Sequence, residues 1–297
     1  MTIWNEYYQA KSITDALQAL SASKGPARFI AGGTDLLLDL QQERLAPLHT
    51  LVDVNAIPEL QVIEIRAGKL FIGAAVPLSL LVANSLVKQH AQALVEACSL
   101  IGGPQVRNQA TLGGNVAHAL PAADGSISLL AQGALAEVAC LDGLRQVPLQ
   151  TVYAGPGRTA LRSGLDLLVG FYLPMRAPGE GAAFRRVMRP QGVALPVLNL
   201  AVWLQRKAEQ IVDVRIALGP AGPIPFRALA TEAVLRGQCY DSILIAQAVE
   251  VVQSEASFRT SPHRATMDYR THLAGVLLAE VLAIAWERAS KTLDMRA

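Results

Sequence analysis

The segment IGGPQVRNQATLGGN, from Ile101 to Asn115, is the most informative part of this chain because it places two glycine pairs among small polar side chains. Glycine has no Cβ and readily adopts positive φ, so Gly102-Gly103 and Gly113-Gly114 allow sharp turns and let backbone N–H groups approach a ligand closely. Phosphate is the usual ligand of such amides. The segment therefore predicts a loop against which an anionic group lies.

Another segment of the same chemistry, AGGTD, runs from Ala31 to Asp35. In chain order this is the first glycine loop, and the segment from Ile101 to Asn115 is the second. It lies between a strand-like run at 28–30 and the apolar run from Leu36 to Leu38. A single glycine pair in such a setting is more often a plain turn. Two such loops in one chain suggest the two phosphates of a diphosphate.

The composition is typical of a soluble globular protein with about two domains. The chain has 297 residues, of which 52% are hydrophobic and 17% charged, and its net charge is +2. At roughly 100–200 residues per domain, this length predicts two domains. The small net charge, without a basic stripe interleaved with aromatic residues, argues against a nucleic-acid partner. The apolar surplus suggests that other subunits cover part of the surface.

Cysteines and histidines give no sign of a metal or hydrolytic site. Cys98, Cys140 and Cys239 form neither a CxxC pair nor a Cys/His cluster, so we expect buried, reduced thiols and no iron–sulfur or zinc site in this chain. The sequence contains no Gly-x-Ser-x-Gly elbow, HExxH motif, Walker loop or GxGxxG fingerprint. No catalytic or metal-ligating residue is predicted.

The sequence has neither a secretory signal nor a long apolar run, so we expect a cytoplasmic protein. Residues 1–8 lack the basic and apolar regions of a secretory signal. The most apolar late segment, Leu273 to Trp286, is interrupted by Glu280 and is shorter than the ~18–20 apolar residues of a membrane span. We therefore expect no membrane span.

Hydrophobic periodicity predicts a small β-α-β unit around the first glycine loop. Helices are expected from residue 12 to an end near 25–26 and at 35–42, and strands at 28–31 and 50–54. The loop then follows a strand, at the end where α/β layers usually bind ligands. We assign residues 1–57 to this subdomain.

From residue 58 to residue 176 the pattern predicts an α+β subdomain of short strands and helices. The expected strands lie at 60–65, 70–72, 135–140 and 166–173, and the expected helices at 78–83, 91–99 and 126–132. Two prolines and two glycines at 174–181 predict the domain boundary.

Residues 177–297 predict a smaller C-terminal α+β domain. Three strand-like runs favour an antiparallel sheet, and helical patterns follow them. The expected strands lie at 182–188, 195–205 and 211–218, and the helices at 228–236, 243–252 and 268–289.

The two glycine loops, together with the segment from Pro121 to Asp124, resemble the FAD-binding medium subunit of the molybdenum hydroxylases. This family includes xanthine dehydrogenase and carbon monoxide dehydrogenase. The order of elements, the chain length and the later Phe184-Arg185-Arg186 segment are also similar. The resemblance implies a two-subdomain FAD-binding domain of the vanillyl-alcohol-oxidase/PCMH type over 1–176, followed by a domain of the CO dehydrogenase flavoprotein type.

The resemblance assigns cofactor contacts to both loops. Backbone N–H groups and the Thr34 hydroxyl would hold the diphosphate, because neutral amides spread its charge without a buried cation. Turn capping is the alternative role for Thr111 and Asn115. The implied contacts are Ala31, Gly32, Gly33, Thr34 and Asp35 in the first loop, and Thr111, Gly113, Gly114 and Asn115 in the second.

Two further contacts are implied near the adenosine half of FAD. Asp124 matches an acidic position that in this family bonds the ribose hydroxyls, and it could also cap a helix that begins near Ser126. His118 is expected to contact FAD, with a surface histidine as the alternative. Arg107 is interpreted as pinning the second loop through backbone carbonyls. The sequence leaves three alternative positions for Arg185, Arg186 and Arg189. They line the cofactor cleft, face the electron acceptor, or lie on a solvated strand edge.

The resemblance implies an electron-transfer subunit of an oxidoreductase. Substrate would be oxidised at a molybdenum cofactor in a large subunit, and electrons would pass through two [2Fe–2S] clusters of a small subunit to FAD and then to an external acceptor. A flavin suits this position because it accepts electrons singly and releases them as a pair. A dimer of heterotrimers is expected. The alternatives are a stand-alone FAD-dependent oxidoreductase of the same fold and a scaffold subunit without flavin.

Overall fold

The structure is a computed structural model that describes residues 3–189, 195–262 and 264–291. These residues form three sheets with associated helices and one small β-hairpin. None of the helices in those three ranges has both the length and the hydropathy that a membrane crossing needs.

A parallel three-stranded sheet in the order β1-β3-β2 forms the N-terminal part. Its elements are β1 Trp4–Gln9, α1 Ile13–Ser21, β2 Ala27–Ile30, α2 Leu36–Gln41 and β3 Leu48–Asp53. The first glycine loop connects β2 to α2 and so lies at the carboxyl end of a strand, as predicted. The sequence did not predict β1, because five of its six residues are exposed and it lacks an apolar alternation.

A five-stranded antiparallel sheet in the order β4-β5-β10-β6-β7 forms the middle part, beside a small β8-β9 hairpin. Seven of the eight residues of the central strand β10 are buried, which is why its apolar run was readily predicted. The strands are β4 Ile63–Arg66, β5 Lys69–Gly73, β6 Leu135–Cys140, β7 Gly143–Pro148, β8 Tyr153–Gly155, β9 Arg158–Thr159 and β10 Leu167–Pro174.

Six short helices lie between β5 and β6. They are α3 Leu78–Ala83, α4 Ser85–His90, α5 Gln92–Ser99, α6 Pro104–Arg107, α7 Leu112–Ala117 and α8 Asp124–Ala131. The long glycine segment is therefore not one continuous loop, because it contains α6 and the beginning of α7. Pro104 suits the first position of α6, where no N–H donor is needed.

An antiparallel sheet in the order β11-β12-β13-β14, followed by three helices, forms the C-terminal part. The elements are β11 Glu180–Val187, β12 Leu198–Lys207, β13 Gln210–Gly219, β14 Phe226–Arg227, α9 Leu229–Leu235, α10 Ser242–Glu255 and α11 Met267–Ser290. The predicted α+β class and the antiparallel C-terminal sheet are confirmed.

The C-terminal sheet is apolar on both faces because it packs on two layers. Phe184, Ala201 and Ala217 join the core of the middle part, which includes α5 and α8. Ala183 and Leu200, on the opposite face, join the core formed with α10 and α11. We propose domain limits at residues 57 and 176, which fall between the three large sheets.

Candidate cofactor-binding site

The first glycine loop presents unused backbone donors. The N–H groups of Gly32, Gly33 and Thr34 donate no hydrogen bond to any residue that the structure describes. Gly33 has φ +69°, a conformation that glycine adopts without strain. Successive free N–H groups of this kind form an anion-binding concavity. The loop therefore has donors free for an anion, and the binding of FAD by these residues stays a prediction.

Three polar side chains fix this loop from the side of β3. Asn55 donates from Nδ2 to the carbonyl of Ala31 at 2.9 Å and to Oδ1 of Asp53 at 2.8 Å. The Tyr7 hydroxyl donates to Oδ2 of Asp53 at 2.5 Å, and this hydrogen bond, together with burial and the negative charge, raises the pKa of Tyr7 to about 12. These residues were not predicted from the sequence, although polar side chains at the end of an apolar strand were a usable signal.

The second glycine loop uses its amides inside the protein. Thr111 caps α7, because its Oγ1 accepts from the Gly114 N–H at 3.0 Å. The Gly113 N–H donates to the carbonyl of Ala74 at 2.9 Å. The structure thus shows the alternative role of Thr111, which is helix capping. This loop can offer a ligand the Thr111 hydroxyl and the side-chain amide of Asn115. The Oδ1 of Asn115 is buried and has no partner among the described residues.

The glycines have different functions, which the atoms around them distinguish. A Cβ on Gly32 would lie 1.9 Å from the carbonyl oxygen of Gln109, and one on Gly113 would lie 2.5 Å from that of Ala74. These two glycines let backbones meet, and Gly32 brings the first loop against the second. Gly114 is exposed, and its Cβ would have only the Thr111 Oγ1 nearby, at 3.2 Å. Gly114 alone among these three opens outward.

Arg107 pins the second loop as interpreted from the sequence. Its Nη1 donates to the carbonyls of Ile101 at 3.2 Å and Gly102 at 2.6 Å. Because these bonds occupy the guanidinium within its own loop, the structural interpretation of Arg107 is confirmed.

Asp124 lies in a buried ion pair. It is the first residue of α8, makes no capping bond, and is 4% exposed. Arg186 donates to its Oδ2, and Asn199 donates to its Oδ1 at 2.6 Å. Burial raises the pKa of Asp124, and the opposing charge and hydrogen bonds of Arg186 and Asn199 offset only part of this rise. The alternative of a helix cap is wrong, because the carboxylate turns toward the C-terminal sheet.

The other predicted positions are placed as follows. His118 ends α7, is half-buried, and makes no side-chain hydrogen bond within the described ranges. Arg185 points to the opposite face of β11 and pairs with Glu280 of α11 at 3.3 Å. Arg189 donates to the carbonyl of Arg264. Of the three open arginines, only Arg186 reaches the predicted site. Pro190, the end of that basic segment, lies outside the described residues.

A cavity of about 250 Å³ lies elsewhere, between the middle part and the C-terminal part. Arg176 and Arg288 line this cavity, and no residue of the two glycine loops lies in its wall. Arg176 donates to the carbonyl of Arg288 at 2.7 Å, and Arg288 pairs with Glu96 at 2.5 Å. These cations therefore join the two parts of the chain.

Metal-binding clusters are missing from the part of the chain that the structure describes: no group of three His, Cys, Asp or Glu side chains could hold an ion there. Of the cysteines, Cys98 is buried as expected, whereas Cys140 is partly exposed and Cys239 is exposed. The expectation of three buried thiols was wrong for these two, because sequence position does not reveal which strand end or turn faces the solvent.

Comparison with known families and proteins identifies the chain's relatives. A family model described as FAD binding domain in molybdopterin dehydrogenase matches residues 3–176, and one described as CO dehydrogenase flavoprotein C-terminal domain matches residues 182–285. The xanthine dehydrogenase FAD-binding subunit of Escherichia coli O157:H7 is 30% identical over 281 residues, which cover 93% of this chain and 94% of that protein. The carbon monoxide dehydrogenase medium chain of Hydrogenophaga pseudoflava is 30% identical over 96% of this chain and 98% of its own length.

Solved structures agree with these relatives. A carbon monoxide dehydrogenase from Hydrogenophaga pseudoflava that lacks the Mo-pyranopterin moiety superposes with a TM-score of 0.90 at 29% identity, covering 96% of this chain and 98% of that chain. Quinoline 2-oxidoreductase from Pseudomonas putida 86 gives a TM-score of 0.88 at 28% identity, covering 97% and 98%.

Fold and loops together define a flavin-binding subunit of an oxidoreductase. The chain belongs to the family of FAD-binding medium subunits of the molybdopterin dehydrogenases. The predictions of this family, of FAD as its cofactor and of an oxidoreductase subunit are confirmed.

Proposed function

We propose that this chain carries electrons, through FAD, from iron–sulfur clusters of a small partner subunit to an external acceptor. One observation supports the site most strongly: the free N–H groups of Gly32, Gly33 and Thr34 lie on a loop that meets Gln109, in the same segment as the outward-facing Gly114. A doubly charged diphosphate is the chemical group that such a neutral, donor-rich cleft would bind.

The residues present fit this cofactor. We propose that the amides of the first loop hold one side of the diphosphate, while the Thr111 hydroxyl and the Asn115 side chain face the other side. The unpartnered Oδ1 of Asn115 gives this arrangement a polar atom that needs a partner. The proposed contacts are Ala31, Gly32, Gly33, Thr34, Asp35, Thr111, Gly113, Gly114, Asn115, His118 and Asp124.

Asp124 is proposed for the adenosine ribose. Each of its carboxylate oxygens accepts one strong hydrogen bond from the protein and keeps a further lone pair. Its 4% exposure restricts a ribose hydroxyl to an approach along the edge of the buried cluster.

FAD, when bound, supplies the redox chemistry by accepting electrons singly and releasing them as a pair. The chain's own residues bind and orient it. We propose that substrate oxidation takes place at a molybdenum cofactor in a large partner subunit, and that the three subunits form a dimer of heterotrimers in the cytoplasm. The near-complete coverage of a medium chain, 98% of its length, supports this role over a stand-alone oxidase with its own substrate domain.

A flavin-content measurement on Gly114→Val tests the site. The assembly isolated through a tag on this chain should contain one acid-releasable FAD per chain, and Gly114→Val should lower FAD affinity by about tenfold or more. The folding cost should be small, because Gly and Val have similarly low helix propensity and the new Cβ meets only the Thr111 hydroxyl.

Gly222→Val is the matched control, since the nearest atom to its Cβ would lie 4.0 Å away. This variant should keep its flavin. Full FAD occupancy in Gly114→Val would show that the diphosphate does not pass this glycine, and a folded wild-type assembly that takes up no FAD would overturn the proposed function.

A further inference from the structure

Three residues form a row across the end of the C-terminal sheet. Arg186 of β11 lies opposite Asn199 of β12, and Asn199 lies opposite Gly219 of β13. Each of them contacts or closely approaches the segment from Pro121 to Asp124. The sheet of one domain therefore holds a segment that belongs to the other.

Each member of the row holds that segment differently. Arg186 forms the ion pair with Asp124. Asn199 donates to the same carboxylate at 2.6 Å and to a carbonyl of the segment at 3.0 Å. A Cβ on Gly219 would lie 2.0 Å from the carbonyl oxygen of Pro121, so glycine is what allows the sheet to approach so closely.

Arg186 also donates a hydrogen bond to the residue just before the second glycine loop. Its Nη2 donates to the carbonyl of Leu100 at 2.6 Å, immediately before that segment begins. The Arg186 side chain is 5% exposed. One buried guanidinium thus connects the two parts of the middle subdomain that carry the proposed FAD contacts.

The row retains unsatisfied polar atoms. Nε of Arg186 and Oδ1 of Asn199 are buried without a partner in the described part of the chain, as is Oδ1 of Asn115. The Asn115 oxygen would lie 2.7 Å from a Cβ on Gly125, the residue next to Asp124. Because such atoms are costly to bury, their concentration around Asp124 indicates a place where a further polar group is accommodated.

We propose that Arg186 and Asn199 are positioning residues of the FAD site, and that the C-terminal sheet sets the place of Asp124 for the adenosine half of the cofactor. This inference rests on the proposed function. It gives Arg186 a definite role and leaves Arg185, on the other face of the same strand, without one in cofactor binding.

The charge of Arg186 also opposes the protonation of Asp124. Burial raises the pKa of Asp124, and the charge of Arg186 is the largest influence that opposes this rise. The Cys98 thiol of α5 also lies near this carboxylate, and its pKa is raised by burial and by Asp124. Without Arg186, protonation of Asp124 would begin at higher pH, and its capacity to accept two ribose hydrogen bonds would fall.

The test compares FAD affinity among variants of the full chain in its isolated assembly, after flavin removal, by titration with FAD. Arg186→Gln should weaken FAD binding by about tenfold, in line with the loss of a charge-assisted hydrogen bond. Its affinity should also fall more steeply than that of the wild type as the pH is lowered, because Asp124 is then protonated more readily. Arg186→Lys, which keeps the charge, should restore the wild-type pH profile.

Arg185→Gln is the control, because it makes the same change one residue away and should alter FAD affinity less than about twofold. Asn199→Ala provides a second route if Arg186→Gln does not fold, and it should also weaken FAD binding. Wild-type binding combined with unchanged affinity in Arg186→Gln and Asn199→Ala would overturn this inference alone. Failure of the wild type to bind FAD would instead overturn the proposed function.

Discussion

At the scale of single residues, the glycines of the two loops differ in function more than their sequence context shows. The sequence identified both pairs as sites of close approach. It could not indicate whether a ligand or the protein itself approaches, because Gly32 meets Gln109 of a distant segment. Only the tertiary structure separates the outward-facing Gly114 from glycines required by packing.

Gly33 should contribute to the free energy of unfolding. Its φ of +69° disfavours any side chain with a Cβ, and a Cβ would lie 3.1 Å from both the Ile30 and Leu37 side chains. Gly68 has a similar φ of +72° but no atom within 4 Å of a Cβ, so it isolates the backbone contribution. We expect Gly68→Ala to cost about 1 kcal/mol and Gly33→Ala about 2–3 kcal/mol.

Urea unfolding of the chain, followed by tryptophan fluorescence, measures both free energies. Equal costs for the two variants would show that the first loop has room for a methyl group beside Ile30 and Leu37. In that case the loop is less closely packed than the structure indicates.

At the scale of elements, the sequence predicted most helices and strands with apolar periodicity but misjudged those without it. β1 is an exposed edge strand, and its pairing with β3 depends on residues more than 40 positions away in the chain. The helix α7 was hidden because its first turn contains two glycines, which are poor helix formers. It is stabilised by the Thr111 cap and by packing of Leu112 and Val116 in the core.

Asp166 joins elements of the middle sheet through a buried charge cluster. Its side chain is inaccessible to solvent and accepts from Arg145 of β7 at 2.8 Å and from Arg162 at 2.9 Å. Burial raises the pKa of Asp166, but the hydrogen bonds and charges of both arginines outweigh that effect, so the pKa is lowered. The ionised form is therefore favoured in the folded state.

Stability from Asp166 should be present above the ordinary carboxyl pKa and lost as the pH falls through its lowered folded-state pKa. Asp166→Asn should cost about 2 kcal/mol near neutral pH, because the arginines are about half exposed and part of the interaction is screened. Urea unfolding at about pH 7 and about pH 3 measures this, with the exposed Asp142→Asn as control. A cost that does not shrink in acid would contradict the assignment.

At the scale of the whole molecule, the α+β class, the C-terminal antiparallel sheet and the family could be predicted from the sequence because glycine motifs and apolar periodicity are local signals. The contact between the two domains could not. Asn199 is the one polar residue in the apolar stretch 198–204 of β12, and its partner Asp124 lies on a helix of the other domain. Only the assembled sheet brings them together.

The assembled molecule accordingly places the proposed FAD contacts in one domain and their buried support in another. In the proposed electron route, the clusters and the molybdenum cofactor belong to partner subunits, so this chain is the exit. Damage to the FAD site should then stop electrons from leaving without stopping them from entering.

Anaerobic reoxidation of the isolated assembly tests this route most directly. Its iron–sulfur clusters are reduced with dithionite, excess reductant is removed, and their absorption is followed by stopped flow after mixing with NAD, oxygen or a quinone. The acceptor that reoxidises the clusters of the FAD-loaded assembly should fail after flavin removal, and added FAD should restore the rate. Reoxidation at an unchanged rate without FAD, or an assembly without clusters, would contradict the proposed electron route through FAD.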